Sequence, residues 1–222
     1  MTIEEKIFRK TKPSVKRLEE YGFQKKGASY FYSKPILEDS FEIEVKVGPL
    51  GLPEGRVYDS FSEEEYVAYR IQGADGTFVG KIRNEFISLL KDIRDHCFAR
   101  TPFQFDQTNR IAEQIRARYG EEPEFPWENR PGHGVFRNRN TKKWFSIVMN
   151  IDRSKLDKGK SGEVEIINLK LRPDQVKEAL ARDGFYPAYH MNKKNWVSIV
   201  LDGTLSDESI MDLIERSHFF TV

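Results

Sequence analysis

Basic residues cluster in the C-terminal half of the sequence, where their charge could neutralise phosphate groups. Between Arg130 and Lys160 there are nine lysines and arginines and two aspartates, an excess of seven positive charges in a chain whose formal net charge is +1. A second, smaller cluster, His190-Met191-Asn192-Lys193-Lys194, lies just before Trp196. Each phosphate that such a residue neutralises adds salt-sensitive affinity for nucleic acid. The alternative interpretation is a solvated loop, because lysine is exposed in most proteins and also protects sheet edges.

The residue types that catalysis or metal binding requires form no recognisable pattern. The histidines are His96, His133, His190 and His218, and none is followed at three or four residues by a partner in a known metal motif. Cys97, the single cysteine, belongs to an apolar helical stripe and is predicted to be a core residue. We therefore predict no catalytic residue, no metal site and no cofactor, and a binding protein rather than an enzyme.

The composition is typical of a folded, water-soluble protein. Hydrophobic residues make up 38% and charged residues 32% of the 222 residues. No apolar run approaches the ~18 residues that a membrane helix needs, and the first residues lack the apolar segment of a secretory signal. A single cysteine excludes an internal disulfide and favours a reducing compartment. These features predict a cytoplasmic protein that does not interact with a membrane.

The periodicity of apolar residues predicts two small α+β domains, residues 1–100 and 101–222. In the first, Phe41–Val47 alternates as a half-buried strand, and Ile82–Cys97 is an amphipathic helix. Ser62, followed by three glutamates, also predicts a helix start. The helical spacing of apolar residues ends near residue 100 and a new pattern begins, so we place the domain boundary there. The role of the first domain is not indicated by its sequence.

The second domain is predicted to contain a mostly antiparallel sheet with helices on one face. Its strands are Trp144–Ile151, Val164–Leu171 and Trp196–Leu201, and residues 152–163 form a flexible hairpin loop. Helices are predicted from Pro173 and from Ser206. This order of elements is not a regular βαβ alternation, so it favours an α+β fold.

Strict alternation along these strands predicts one aliphatic face, covered by the helices, and one mixed face that stays open. The aliphatic face would carry Phe145, Ile147, Met149 and Ile151, with Ile167, Leu169, Val197 and Ile199 from the other strands. The mixed face would carry Trp144, Ser146, Val148, Asn150, Asn168, Lys170, Trp196, Ser198 and Val200. Bases stack on exposed aromatic side chains, so an open face of this kind suits nucleic acid. The alternatives are that this face packs on the first domain, or that the tryptophans make ordinary cross-strand contacts.

Several short motifs in residues 103–218 resemble the MmcQ/YjbR family. They are Phe125-Pro126-Trp127, Gly134-Val135-Phe136-Arg137, Lys142-Lys143-Trp144-Phe145, Ile167-Asn168-Leu169-Lys170, the run Pro187 to Trp196, Leu201-Asp202-Gly203 and Ile214 to His218. The resemblance implies an α+β fold similar to frataxin-like sheets and a DNA-binding role, for which a double-wing surface has been suggested. It brings no catalytic residues. The chain is longer than the family's minimal form, and its 152–163 loop departs from the compact pattern.

These observations lead to a first hypothesis, that this is a bacterial-type DNA-binding protein using the basic hairpin and the open sheet face. The candidate nucleic-acid-binding residues are Arg137, Arg139, Lys142, Lys143, Trp144, Lys170, His190, Asn192, Lys193, Lys194 and Trp196. The alternative is a module for protein–protein interaction or homo-oligomer formation, with no nucleic-acid role. A third hypothesis is an enzyme acting on a small molecule, with Tyr189 and His190 near a pocket.

Overall fold

The computed structural model describes residues 1–49, 51–74 and 76–222, and the chain divides into two compact units. Unit 1 is Met1–Thr101 and unit 2 is Pro102–Val222. Within the described ranges, none of the helices has both the length and the apolar character needed to cross a lipid bilayer.

Unit 1 contains a four-stranded antiparallel sheet packed on a long helix. Its elements are α1 (Ile3–Ile7), β1 (Thr11–Pro13), α2 (Val15–Tyr21), β2 (Gln24–Lys26), β3 (Ser29–Ile36), β4 (Phe41–Val47), β5 (Pro53–Asp59), α3 (Thr77–Cys97) and β6 (Phe98–Arg100). The sheet order is β2-β3-β4-β5, and β1 pairs with β6 in a separate two-stranded ribbon. In β4 every second residue from Phe41 to Val47 is buried, as the alternation predicts. The predicted amphipathic helix is confirmed by α3, which buries Cys97 and the apolar stripe before it.

The helix predicted to start at Ser62 is wrong. The Asp59 carboxylate accepts hydrogen bonds from the backbone N–H groups of Phe61 and Ser62, at 2.9 and 3.1 Å, and this turn ends β5. The chain then folds back, and Glu65 forms an isolated β-bridge with Tyr58. A serine followed by acidic residues suits a turn as well as a helix cap, because both use the same side-chain-to-backbone hydrogen bonds.

Unit 2 is an antiparallel five-stranded sheet with three helices. Its elements are α4 (Asp106–Tyr119), β7 (Gly134–Arg137), β8 (Trp144–Asp152), β9 (Glu163–Lys170), α5 (Pro173–Leu180), β10 (Phe185–Pro187), β11 (Trp196–Val200) and α6 (Asp207–Phe219). The order is β10-β11-β9-β8-β7, and every neighbouring pair is antiparallel. Because β8 and β11 are both antiparallel to β9, they run in the same direction.

One face of this sheet packs against the helices, so the predicted α+β class is confirmed. The main core joins apolar residues of the strands to those of α4, α5 and α6, among them Ile111, Ile115, Val176, Ile210 and Ile214. The strand residues Ile167, Leu169, Val197 and Ile199 lie in this core, as their alternation predicts.

The face assignment predicted for β8 is wrong, because the strand contains an irregularity near its start. The register with β7 shifts between Phe136 and Arg137, opposite the start of β8. From there Val148 pairs with Ile167 on the helix-covered face, and Phe145 is also in the main core. An extra residue of this kind moves all later side chains to the opposite face.

The second face therefore holds the aliphatic residues of β8 and is not open. Ile147, Met149 and Ile151 form a second apolar cluster with Val135, Ile166 and Val200. Side chains from the connecting segments, Trp127, Leu156, Tyr189 and Met191, pack against this cluster. Burying aliphatic surface contributes about 25 cal/mol per Å², so an uncovered cluster of this size would be costly. The prediction of an open mixed face is thus wrong.

Candidate nucleic-acid interface

Lys142 and Lys143 lie in the turn between β7 and β8, and both side chains are exposed. Asn138 shapes this turn, because its side-chain oxygen accepts hydrogen bonds from the N–H groups of Asn140 and Thr141 at 2.9 and 3.1 Å. Lys142 adopts a left-handed backbone conformation with φ of 60°. The lysine pair is thereby held at the tip of a short, well-defined hairpin.

Lys193 and Lys194 occupy a second turn, directly before β11, and are also exposed. The side-chain oxygen of Asn192 accepts a hydrogen bond from the Lys194 N–H at 2.9 Å. Its main-chain oxygen accepts from the N–H groups of Asn195 and Trp196. Asn192 was predicted as a nucleic-acid contact, and the structure gives it a role in forming this turn.

The two lysine pairs lie at the same end of the sheet, because each precedes the start of one of two strands that run in the same direction. β8 and β11 are separated by one strand, which corresponds to about 10 Å. Among the residues that the structure describes, no carboxylate lies within ion-pair distance of Lys142, Lys143, Lys193 or Lys194. We call these four residues the lysine surface.

The two predicted arginines near this end are already paired with glutamates. Arg137 forms an ion pair with Glu124 at 2.9 Å, and its guanidinium lies 5.3 Å from the centre of the Trp144 ring. Arg139 donates its backbone N–H to Glu121 at 2.9 Å and has its guanidinium 3.5 Å from the same carboxylate. Their positive charge is therefore partly offset within the protein.

Part of the excess charge predicted for the 152–163 loop is also offset. Asp157 lies 3.5 Å from Arg153 and 3.3 Å from Lys160, and Arg153 forms a second ion pair with Asp202 at 2.8 Å. A hydrogen bond from Tyr186, together with these cations, holds the pKa of Asp157 below its ordinary value. Asp157 is therefore ionised at neutral pH and ties the loop to β10.

The predicted aromatic stacking platform is not available on β11. Trp196 is only 9% exposed, so a nucleotide base cannot stack on it. Trp144 is half-buried and meets the ring of Trp127 edge-on, with centroids 5.9 Å apart. Lys170, also half-buried, pairs with Trp196 across β9 and β11 and has its ammonium 5.9 Å from the Phe220 ring. These three side chains are therefore engaged in contacts within unit 2.

The polar residues of the second face hold a loop instead of contacting solvent. Ser198 donates to the Asn168 side-chain oxygen at 2.5 Å and accepts from the Tyr189 N–H at 2.9 Å. Asn168 also donates to the Tyr189 carbonyl at 3.0 Å. Both polar side chains are completely buried. His190, predicted as a nucleic-acid contact, follows this anchor, is exposed and has a left-handed φ of 55°.

Comparison with known proteins places unit 2 in a family. The model of the YjbR family matches residues 116–219. The uncharacterised protein YyaQ of Bacillus subtilis (strain 168) is 36% identical over 111 residues, which cover 50% of this chain and 94% of YyaQ. A crystal structure of a protein from Pseudomonas syringae is 34% identical and superposes with a TM-score of 0.50, covering 51% of this chain and 97% of that one. Since the matched region carries the sheet and helices described above, this chain belongs to the YjbR family through its C-terminal half.

Proposed function

We propose that this protein is a non-enzymatic nucleic-acid-binding protein that contacts the DNA backbone through the lysine surface. The observation that supports the proposal is the grouping of two exposed lysine pairs at one end of the sheet, without carboxylate partners among the described residues. Lysine ammonium groups that are not paired internally are free to replace the counterions of phosphates.

The proposed contact differs from the one that the sequence favours. Contact is made by the turns at the end of the sheet, because the second face is filled by the protein's own side chains. Lysines read phosphates and carry little sequence information, so we expect similar affinity for duplexes of different sequence. Arg137 and Arg139 would contribute less than the lysines, since each has a glutamate partner.

The test compares two full-length variants with equal loss of charge. In the first, Lys142, Lys143, Lys193 and Lys194 are changed to Gln. In the control, four exposed lysines of unit 1 are changed to Gln, namely Lys12, Lys34, Lys81 and Lys91. Binding of a fluorescent DNA duplex is measured by anisotropy at low and moderate salt. We expect the first variant to lose at least about tenfold in affinity and the control to lose much less.

Two results would contradict the proposal. One is wild-type protein that shows no saturable binding to duplex or single-stranded DNA at low salt. The other is an equal loss of affinity in both variants, because this would mean that binding follows total charge and not the lysine surface.

An apolar groove in unit 2 favours a second candidate function, self-association. The groove lies between α5 and α6, has a volume of about 490 Å³ and is lined by Phe219 and Phe220. Phe219 is 77% exposed, which is unusual for a large apolar side chain. Arg216 and Asp212 also line the groove, and these opposite charges could pair with those of a second copy about a two-fold axis. Arg172 and Glu215, which line it too, already form ion pairs with Asp174 and Arg118. Sedimentation velocity over a range of concentrations tests this candidate, which predicts a dimer that Phe219→Ser dissociates.

A further inference from the structure

A pocket in unit 2 combines basic and aromatic side chains in a way that the nucleic-acid proposal does not use. It has a volume of about 250 Å³. Its lining includes the basic residues Lys155, His190 and Lys193 and the apolar or aromatic residues Leu156, Tyr186 and Tyr189. No acidic residue lines it in the described part of the chain. Three nitrogen-bearing side chains therefore surround a space that is large enough for a compact ligand.

The walls of this pocket are fixed by hydrogen bonds. The main chain of Tyr189 is held on both sides by the buried pair Asn168 and Ser198. The hydroxyl of Tyr186, another lining residue, donates to Asp157 at 3.0 Å and so joins the 152–163 loop to β10. A pocket with preformed walls loses little conformational entropy when a ligand binds.

The charge inside the pocket is positive. Lys155 and Lys193 have no carboxylate within ion-pair distance among the residues described, and both are exposed. Asp157, which accepts from the lining residue Tyr186 but does not itself line the pocket, is compensated by Arg153 and Lys160. A ligand with two negative charges on one group would therefore be attracted, whereas a cation would not.

We infer that this pocket binds a small phosphate monoester. Lys155, His190 and Lys193 would donate to the phosphate oxygens, and Tyr186, Tyr189 and Leu156 would contact a compact organic group such as a sugar. The His190 backbone is held in a conformation that is uncommon for residues other than glycine, and such conformations concentrate at ligand sites. This inference goes beyond the proposed DNA contact and does not require it. Lys193 belongs to both the pocket and the lysine surface, whereas Lys155 and Tyr186 belong to the pocket alone.

The experiment is a titration of the full-length, isotope-labelled protein with ribose 5-phosphate, followed by amide chemical shifts in NMR. Ribose, inorganic phosphate and a 5′-phosphorylated oligonucleotide are titrated separately. We expect saturable shifts in residues 155–157 and 186–193 with ribose 5-phosphate, weaker ones with inorganic phosphate and none with ribose. Lys155→Gln should weaken the binding of ribose 5-phosphate about tenfold or more. Lys142→Gln combined with Lys143→Gln should leave it unchanged.

The result that overturns the inference is the absence of saturable shifts in these residues with ribose 5-phosphate up to about 10 mM. The inference is also overturned if Lys155→Gln does not weaken the binding of ribose 5-phosphate. It is overturned as well if the oligonucleotide is the one ligand tested that binds. Lys155 is exposed, so this variant should fold normally. Failure of the DNA proposal is recognised separately, because it is reported by the Lys142 and Lys143 variant and by duplex binding.

Discussion

At the scale of single residues, two polar side chains that the strand alternation assigns to an open sheet face have a structural role inside unit 2. Asn168 and Ser198 alternate with aliphatic residues on their strands, a pattern that usually indicates a solvated face. Both are instead completely buried and hold the main chain of Tyr189. Buried polar groups need such partners, since an unpaired one costs about 1–3 kcal/mol.

We expect Ser198→Ala to lower the free energy of unfolding of unit 2 by about 1–3 kcal/mol, because it leaves the Tyr189 N–H and the Asn168 side-chain oxygen without this partner. Urea unfolding followed by tryptophan fluorescence measures the change, since all three tryptophans lie in unit 2. Ser161→Ala, at an exposed loop position, is the control and should change it by less than about 0.5 kcal/mol. Equal effects of the two substitutions would show that the buried network does not stabilise the unit.

In unit 1, the buried carboxylate of Glu4 makes stability depend on pH. Burial raises its pKa, but hydrogen bonds from Arg70 and from the Gly55 N–H, with the charge of Arg70, lower it below its ordinary 4.5. The folded state therefore prefers the ionised form, and this stabilisation is present above pH 4.5 and lost as the pH falls further.

We expect the free energy of unfolding of unit 1 to decrease in the wild type as the pH falls below 4.5. We expect Glu4→Gln to reduce this pH dependence. Amide signals of unit 1 recorded during urea unfolding between about pH 3 and 6 measure both. Glu5→Gln, at an exposed neighbouring residue, is the control. Identical pH profiles for wild type and Glu4→Gln would contradict the assignment.

At the scale of elements, close packing between a strand and a helix can be tested in unit 1. β5 passes α3 at Gly55, where a Cβ atom would lie 2.6 Å from the ring of Phe86. Phe86 is completely buried and cannot move away freely. In contrast, a Cβ atom on Gly80 in α3 would meet nothing within 4 Å.

Gly55→Ala should therefore lower the free energy of unfolding of unit 1 by about 1–3 kcal/mol, because it overpacks the core. Gly80→Ala should raise it by up to about 1 kcal/mol, because alanine favours the helix. Thiol labelling of Cys97 reports unfolding of this unit, since the residue is completely buried and burial, aided by Asp92, raises the pKa of its thiol to about 11. If Gly55→Ala and Gly80→Ala changed the free energy of unfolding in the same direction, the close contact between Gly55 and Phe86 would be contradicted.

Apolar periodicity was sufficient to predict α3, β4 and the strands β8, β9 and β11, but not the faces of β8. The stripe on α3 and the alternation of β4 are direct consequences of burial on one side. The irregularity at the start of β8 depends on its pairing with β7, which nothing in the local sequence specifies. The covering of the second face was missed for a related reason, since loop residues such as Leu156 carry no periodic signal. The lysine clusters were visible in the sequence, whereas their shared position required the strand order.

At the scale of the whole molecule, charge is balanced overall and uneven locally. The formal net charge is +1, so the protein as a whole exerts little long-range attraction on DNA. Many cations of unit 2 form ion pairs with carboxylates. In the lysine surface, by contrast, four lysines without a carboxylate partner among the described residues share one end of the sheet. Affinity for DNA should therefore depend on these few contacts and decrease steeply with salt.

The most direct test of this account is the salt dependence of duplex binding in two double variants, one with Lys142 and Lys143 changed to Gln and the other with Lys193 and Lys194 changed to Gln. If both pairs neutralise phosphates of the same duplex, each variant should reduce the slope of log affinity against log salt by roughly one to two. Slopes equal to that of the wild type in both variants would contradict the account.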